Sequence, residues 1–300
     1  MKELLYSKNS EKCDLLRNIF VSPAAHKIQR NFKRFSARGD PQLAIFSHDL
    51  IGNSINADGV YEKRELDLLI SWLKNEGFDF SNTCIDIGAN IGNHSLYFSN
   101  LFKKVISFEP NPRVYKLLAL NAELVSNIEC HEVALSDKNG VANISFNSTN
   151  MGGGSLSGGR GGSTEVITSR LDDFEIEGNI SVIKIDVEGH ELNVLRGASE
   201  TIQKNLPLIL FEQHIEDFVG GQSPVIELLK SYGYKKFATV DFSPKISRSL
   251  LKNLVLNLLR VIAIGGRDTL HLTADIKPDF YPFIIAIPGT MGEKGKSGSR

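Results

Sequence analysis

Between Thr83 and Glu109 the chain reads strand, glycine turn, helix, strand, and this stretch constrains the fold more tightly than any other. TCIDI is a short apolar run with a carboxylate, Asp86, near its end. Gly88, Asn90 and Gly92 follow in G-x-N-x-G spacing, and Ile91–Phe102 places apolar residues at helical intervals. Lys104–Phe108 is a second apolar run, closed by Glu109 in VISFEPN. Two strands joined through one helix lie parallel, and the crossover is right-handed.

The same alternation continues. Asn111 and Pro112 open a helix that runs to about Val125, since Asn caps well and Pro suits a first turn. Ile128–Ala134 is a third strand. Val141–Phe146 and Glu165–Leu171 read as strands flanking a glycine-rich loop, Gly152–Gly162, which carries Ser155, Ser157 and Arg160 and has the composition of a flap or a hairpin tip. Ser181–Asp186 is a strand, Glu191–Lys204 a helix and Leu208–Glu212 a strand. Ser223 and Pro224 start a helix to about Tyr232, and Tyr234–Val240 and Phe283–Ile287 are the last two strands. Upstream, Tyr61–Glu76 is an amphipathic helix. The expected division is an N-terminal helical and loop extension over 1–60, an α/β domain over 61–288 with a helical insertion at about 242–279, and a disordered tail over 289–300.

Bulk properties narrow the function classes. The chain has 300 residues, 41% of them hydrophobic, which is enough for a sizeable core. Its formal net charge of −1 gives no overall attraction to nucleic acid. A basic cluster, Lys27, Arg30, Lys33, Arg34 and Arg38, reads as a solvated helix face. The three cysteines, Cys13, Cys84 and Cys130, lack metal or disulfide spacing and fit a reducing compartment, so the expected location is cytoplasmic. No membrane-spanning segment is expected, because Lys252 and Arg260 break the best candidate, Leu250–Ile264. The apolar and basic stretch Ile246–Ile264 reads as a lid helix, with peripheral membrane contact as the alternative.

Asp86 separates two classes of nucleotide ligand. A pyrophosphate seeks free backbone N–H groups at a helix start, and a carboxylate repels it. A cationic nucleoside such as S-adenosylmethionine suits such a site. Glu109, one strand further on, is placed to hold ribose hydroxyls. The loop also departs from G-x-G-x-x-G, so an NAD-linked oxidoreductase is the more distant alternative, and a non-catalytic Rossmann-like scaffold is the other.

With those residues in view, the chain resembles the FkbM-type methyltransferases. The resemblance lies in IDIGANIGNHSLYFS, VISFEPNPRVYKLLALN, VALSD, IKIDVEGHELNVLRGA and PLILFEQ, with YEKREL upstream, and covers about Asp49 to Tyr234. It implies an α/β, Rossmann-like class I methyltransferase, with a seven-stranded, mostly parallel sheet and helices on both faces. It implies S-adenosyl-L-methionine as cofactor and a hydroxyl of a sugar, glycan or natural product as acceptor. By the same resemblance Asp86, Gly88, Asn90 and Gly92 line the methionine side, Glu109 takes the ribose and Ala134 lies near the adenine.

The fourth strand of such a sheet lies beside the first, so KIDVEGHE brings Asp186, Glu188 and His190 to the ligand crevice. A hydroxyl acceptor gains from a general base. His190, Asp186 and His214 are the candidates, with Asp186 also facing the cofactor and Glu188 and Glu212 facing the substrate. Carboxylate and imidazole types could hold a divalent ion, but no compact ligand spacing supports one, and no metal is expected.

Overall fold

In the computed structural model, residues 22–47, 49–147, 150–155, 163–241 and 269–289 are described. The chain divides into two compact units, Met1–Tyr61 and Glu62–Arg300. The first contains α1 (Ser22–Arg38) and α2 (Leu50–Asp58). Cys13, the stretch Ile246–Ile264, Ser157, Arg160 and the tail over 290–300 lie outside the described residues.

The second unit opens with α3 (Lys63–Asn75), whose Leu66, Leu69, Ile70 and Leu73 are buried at helical spacing. The alternation then proceeds through β1 (Thr83–Ile87), α4 (Asn93–Ser99), β2 (Lys104–Phe108), α5 (Pro112–Ala122) and β3 (Ile128–His131). After β4 (Ala134–Leu135), β5 (Gly140–Asn147), β6 (Asn150–Ser155) and β7 (Ser163–Ser169) come β8 (Ile180–Ile185), α6 (Glu191–Gly197), α7 (Ser199–Asn205) and β9 (Leu208–Gln213). The unit closes with α8 (Pro224–Ser231), β10 (Lys236–Asp241), β11 (Thr269–Thr273) and β12 (Tyr281–Ile287).

The main sheet has the order β11-β10-β12-β9-β8-β1-β2-β3. Strands β3, β2, β1, β8 and β9 are mutually parallel. β12, later in the chain, lies between β9 and β10 and is antiparallel to both. This is the strand order of a class I methyltransferase, with β8 and β9 as its fourth and fifth strands. Seven strands are expected and eight are found: β11 pairs antiparallel with β10 at the edge. β11 falls inside the segment 242–279 that reads as a helical insertion, and residues 242–268 of that segment lie outside the described residues.

Every residue of β1 is buried, as befits a central strand covered on both faces. The core runs through Ile85, Ile87, Ile106, Phe108, Ile183, Ile185, Ile209 and Phe211. A smaller sheet, β4-β7-β5-β6, encloses a cluster of Ala134, Ile144 and Val166 among the described residues.

Three local expectations shift. Ile128–Ala134 is not one strand: β3 ends at His131, and Ala134–Leu135 pairs instead with β7 in the smaller sheet. Glu191–Lys204 is not one helix, because Ala198 (φ −112°, ψ 11°) leaves helical geometry and divides α6 from α7. β6 was not expected, since its Gly152, Gly153 and Gly154 carry no side-chain pattern, yet Phe146 pairs with Gly154 and Ser145 with Ser155. Among the described residues no helix is long and apolar enough to cross a membrane.

Candidate functional site

The loop after β1 is built around glycines that admit no substitute. Gly88 has φ 71°, and a Cβ there would stand 1.8 Å from the Asp186 carbonyl oxygen. The first and fourth strand ends therefore touch through backbone alone. Gly88 and Ala89 both donate to the Phe108 carbonyl at 3.0 Å, which ties the loop to the end of β2 as well. Gly92 has φ 88°, and a Cβ there would come within 2.9 Å of Leu118. Asn90 adopts φ 52° without being glycine.

Strand register sets the chemistry beneath the loop. Asp86 pairs with Ser107 on one side and Lys184 on the other. Its side chain is fully buried. Ser95 Oγ donates to Asp86 Oδ2 at 2.6 Å, and Ser107 Oγ donates to Ser95 Oγ at 2.9 Å. Lys184 Nζ lies 3.1 Å from Asp86 Oδ1 and 3.5 Å from Asp186 Oδ2, and donates to the Gly88 carbonyl at 3.0 Å. Burial pulls the Lys184 ammonium down, but Asp86 and Asp186 outweigh it and leave it above its ordinary value. The expected electrostatics are thereby altered: Lys184 offsets the charge of Asp86, and the uncompensated acid at this edge sits further out.

Glu109 is buried at the end of β2, its Oε2 accepting the Asn90 N–H at 3.0 Å and its Oε1 the Asn111 N–H at 2.8 Å. Burial pushes its carboxyl up to about 7, against the pull of those two N–H groups. Ala134 is buried in the smaller sheet beside Ile144 and Val166 and pairs there with Thr168.

The end of β8 carries the remaining candidates. Asp186 is 38% exposed. Glu188 is exposed and left-handed at φ 52°. Glu191 shapes this turn from below, its Oε1 accepting the N–H groups of Val187 and Gly189, both at 3.2 Å. His190 is half-buried, with Nε2 at 2.9 Å from Ser136 Oγ, joining KIDVEGHE to VALSD. Burial lowers its pKa, opposed by Asp137.

At the end of the adjacent strand β9, His214 Nε2 lies 3.3 Å from Glu212 Oε2. Burial first, then Asp186, raises the Glu212 carboxyl to about 7; Glu188 and Glu62 add to this and His214 opposes it. Burial pulls His214 down, and Glu212, Asp217 and Glu188 outweigh it, so the imidazole titrates above its ordinary value. Ligand atoms of Glu188, Glu212 and His214 all lie within 4.8 Å of one another.

Sequence reasoning missed three contributors. Lys184 sits in an apolar strand, where a lysine is rarely buried without a partner, and that anomaly was the available signal. Glu191 follows the motif histidine and reads as a helix residue. Glu62 adopts φ 55°, holds His94 at 3.2 Å and adds its charge to the field at Lys184 and Glu212. Of the four non-glycine residues with positive φ among the described residues, Glu62, Asn90 and Glu188 belong to this neighbourhood, and Leu206 alone ends a helix elsewhere.

Comparison with known proteins follows the same residues. A profile of the methyltransferase FkbM domain matches residues 86–236. The chain is similar to the 2-O-methyltransferase NoeI of Sinorhizobium fredii, 31% identical over 175 residues, covering 49% of this chain and 71% of that protein. It is also similar to the hexuronic acid methyltransferase AglP of Haloferax volcanii, 31% identical over 134 residues, covering 43% of this chain and 54% of that protein. The solved methyltransferase FkbM of Methylobacillus flagellatus KT is 23% identical, with a TM-score of 0.32 over 45% of this chain and 33% of that one.

Proposed function

Since the chain belongs to the methyltransferase FkbM domain family, we propose that it moves a methyl group from S-adenosylmethionine to a hydroxyl oxygen of a sugar or glycan. The observation that carries this reading is the junction of Gly88 with Asp186, a cradle that a single Cβ would fill. A nucleoside can approach the backbone there, and Glu109 stands at the neighbouring strand end for its ribose. The donor set fits a cation without phosphate: Asp186, Glu188 and Glu212 gather at this edge, and Lys184 is already engaged by Asp86 and the Gly88 carbonyl. S-adenosylmethionine supplies, when bound, an activated methyl group on a sulfonium.

The acceptor is the finer part of the reading. The sugar-directed names of two relatives support a hydroxyl-bearing carbohydrate. For the proton released by that hydroxyl, we assign Asp186 rather than His190. Asp186 abuts the cofactor loop, is partly exposed and is oriented by Lys184. His190 Nε2 is engaged by Ser136. A positioned base of this kind contributes about 10²–10⁴-fold.

Two measurements test the reading. Calorimetry should record S-adenosylmethionine binding that weakens about tenfold or more in Glu109→Ala, a loss of roughly 1.4 kcal/mol. Mass spectrometry of neutral hexose and uronic-acid acceptors incubated with deuterated S-adenosylmethionine should show a labelled methyl ether. Binding unaffected by Glu109→Ala sinks the pocket, and label confined to the uronic carboxylate as a methyl ester, or absent from every acceptor, sinks the hydroxyl acceptor.

A further inference from the structure

We propose that Glu188, Glu212 and His214 form a binding site for one first-row divalent cation, of which Mn²⁺ is the natural probe. The three residues arrive from two hydrogen-bonded parallel strands: Glu188 from the turn after β8, Glu212 and His214 from the end of β9. One ligand atom from each lies within 4.8 Å of the other two. His214 Nε2 and Glu212 Oε2 are already 3.3 Å apart. Neighbouring ligands on an ion with bonds of about 2.0–2.2 Å stand roughly 3 Å apart, so this pair is close to ligand spacing. Glu188 is exposed on the turn after β8 and supplies the third ligand atom.

The donor set selects the class of ion. Two carboxylates and one imidazole make a mixed oxygen and nitrogen site. Mg²⁺ and Ca²⁺ favour oxygen throughout, whereas an imidazole suits iron, nickel, copper or zinc and the two carboxylates suit manganese. His214 is the better-held ligand. Its ring lies 5.2 Å from that of Phe280, and its backbone N–H donates to Asp217 Oδ2 at 2.9 Å. Asp217 also receives Gln213 Nε2 at 3.0 Å, which braces the strand end. Charge points the same way. Asp186, Glu188 and Glu62 all act on Glu212, and Lys184 lies nearer to Asp86 (3.1 Å) and the Gly88 carbonyl (3.0 Å) than to Asp186 (3.5 Å). A dication among them offsets a repulsion at Glu212 that His214 opposes but does not overcome.

Three protein ligands leave coordination positions open. Adjacent hydroxyl oxygens of an acceptor suit those positions, and a coordinated hydroxyl gives up its proton more readily to Asp186. That use of the ion rests on the methyl-transfer reading; the binding of the ion does not.

The test therefore uses the ion alone. Metal-stripped full chain is titrated with Mn²⁺ and the free ion is read by electron paramagnetic resonance, with neither methyl donor nor acceptor present. The expected result is one Mn²⁺ per chain, with affinity falling about tenfold or more in each of Glu212→Gln, His214→Gln and Glu188→Gln. Glu188 is exposed, so its variant reports on ligation without a folding defect. Absence of Mn²⁺ binding at millimolar concentration, or binding unchanged in all three variants, overturns the site. If S-adenosylmethionine binding survives that outcome, the ion has failed and the methyl-transfer reading has not. Mn²⁺ binding that the variants abolish, in a chain that binds no S-adenosylmethionine, is the reverse case and supports the ion site.

Discussion

At the scale of single residues the site is governed by burial. Lys184 and Asp86 lie in register on neighbouring strands with almost no exposure, and each makes the other tolerable. Glu109 accepts two backbone N–H groups, and burial outweighs them and the Lys184 charge, so its carboxyl titrates at about 7 rather than 4.5. The folded chain thus holds this proton more tightly than the unfolded one. The contribution to stability is full below the unfolded pKa and is lost as pH rises through about 7. The shift is worth on the order of 3 kcal/mol. Urea melts at pH 5 and pH 8 should show the wild type losing more stability across that interval than Glu109→Gln. Parallel losses in the two proteins would contradict the assignment. Part of this residue-level picture was legible beforehand. Asp86 and Glu109 stand out because carboxylates close apolar runs. The Lys184 contact was hidden, because it depends on a strand register that no local spacing encodes.

At the scale of elements, α6 is the piece on which the site's geometry turns. A Cβ on its last residue, Gly197, would stand 1.8 Å from the Ser136 carbonyl oxygen. The helix end therefore presses directly on the backbone of the VALSD segment, and His190 at the helix start reaches the Ser136 hydroxyl. Gly197→Ala should separate the two. We expect a lower melting temperature and a His190 imidazole that titrates nearer its ordinary value, read by nuclear magnetic resonance. An unshifted His190 titration would mean that the contact does not depend on this approach. Element boundaries were readable where a side chain caps a helix: Asn111 accepts the Arg113 N–H at 3.0 Å and Ser223 the Ile226 N–H at 3.3 Å. They were not readable where tertiary contact decides. The break at Ala198 adjoins the close approach of Gly197 to Ser136, and β6 is held by pairing to β5 rather than by any pattern of its own.

At the scale of the whole methyltransferase unit, two sheets of unequal strength share one chain. The main sheet is buried through β1, β8 and β9, whereas the smaller sheet, among the described residues, encloses three core residues and leaves Val141 and Ile167 more than half exposed. Amides of β5 and β7 should exchange with deuterium well before those of β1 and β8. Equal protection would argue against separable stabilities. The parallel α/β rhythm of the main sheet was readable from sequence, because apolar runs between helical segments admit few other arrangements. The eighth strand was not, because Leu272 and its neighbours in β11 are largely exposed and carry little burial signal. The place of β12 has a consequence for biosynthesis. A ribosome releases β9, β10 and β11 before residues 281–287, so the half-made domain holds an open slot where β12 belongs. Until that strand arrives, β9 shows a bare edge and the β10–β11 ribbon has nothing to join. The nascent chain is then most exposed to pairing with a stranger, and β12 works as the bolt that shuts the sheet.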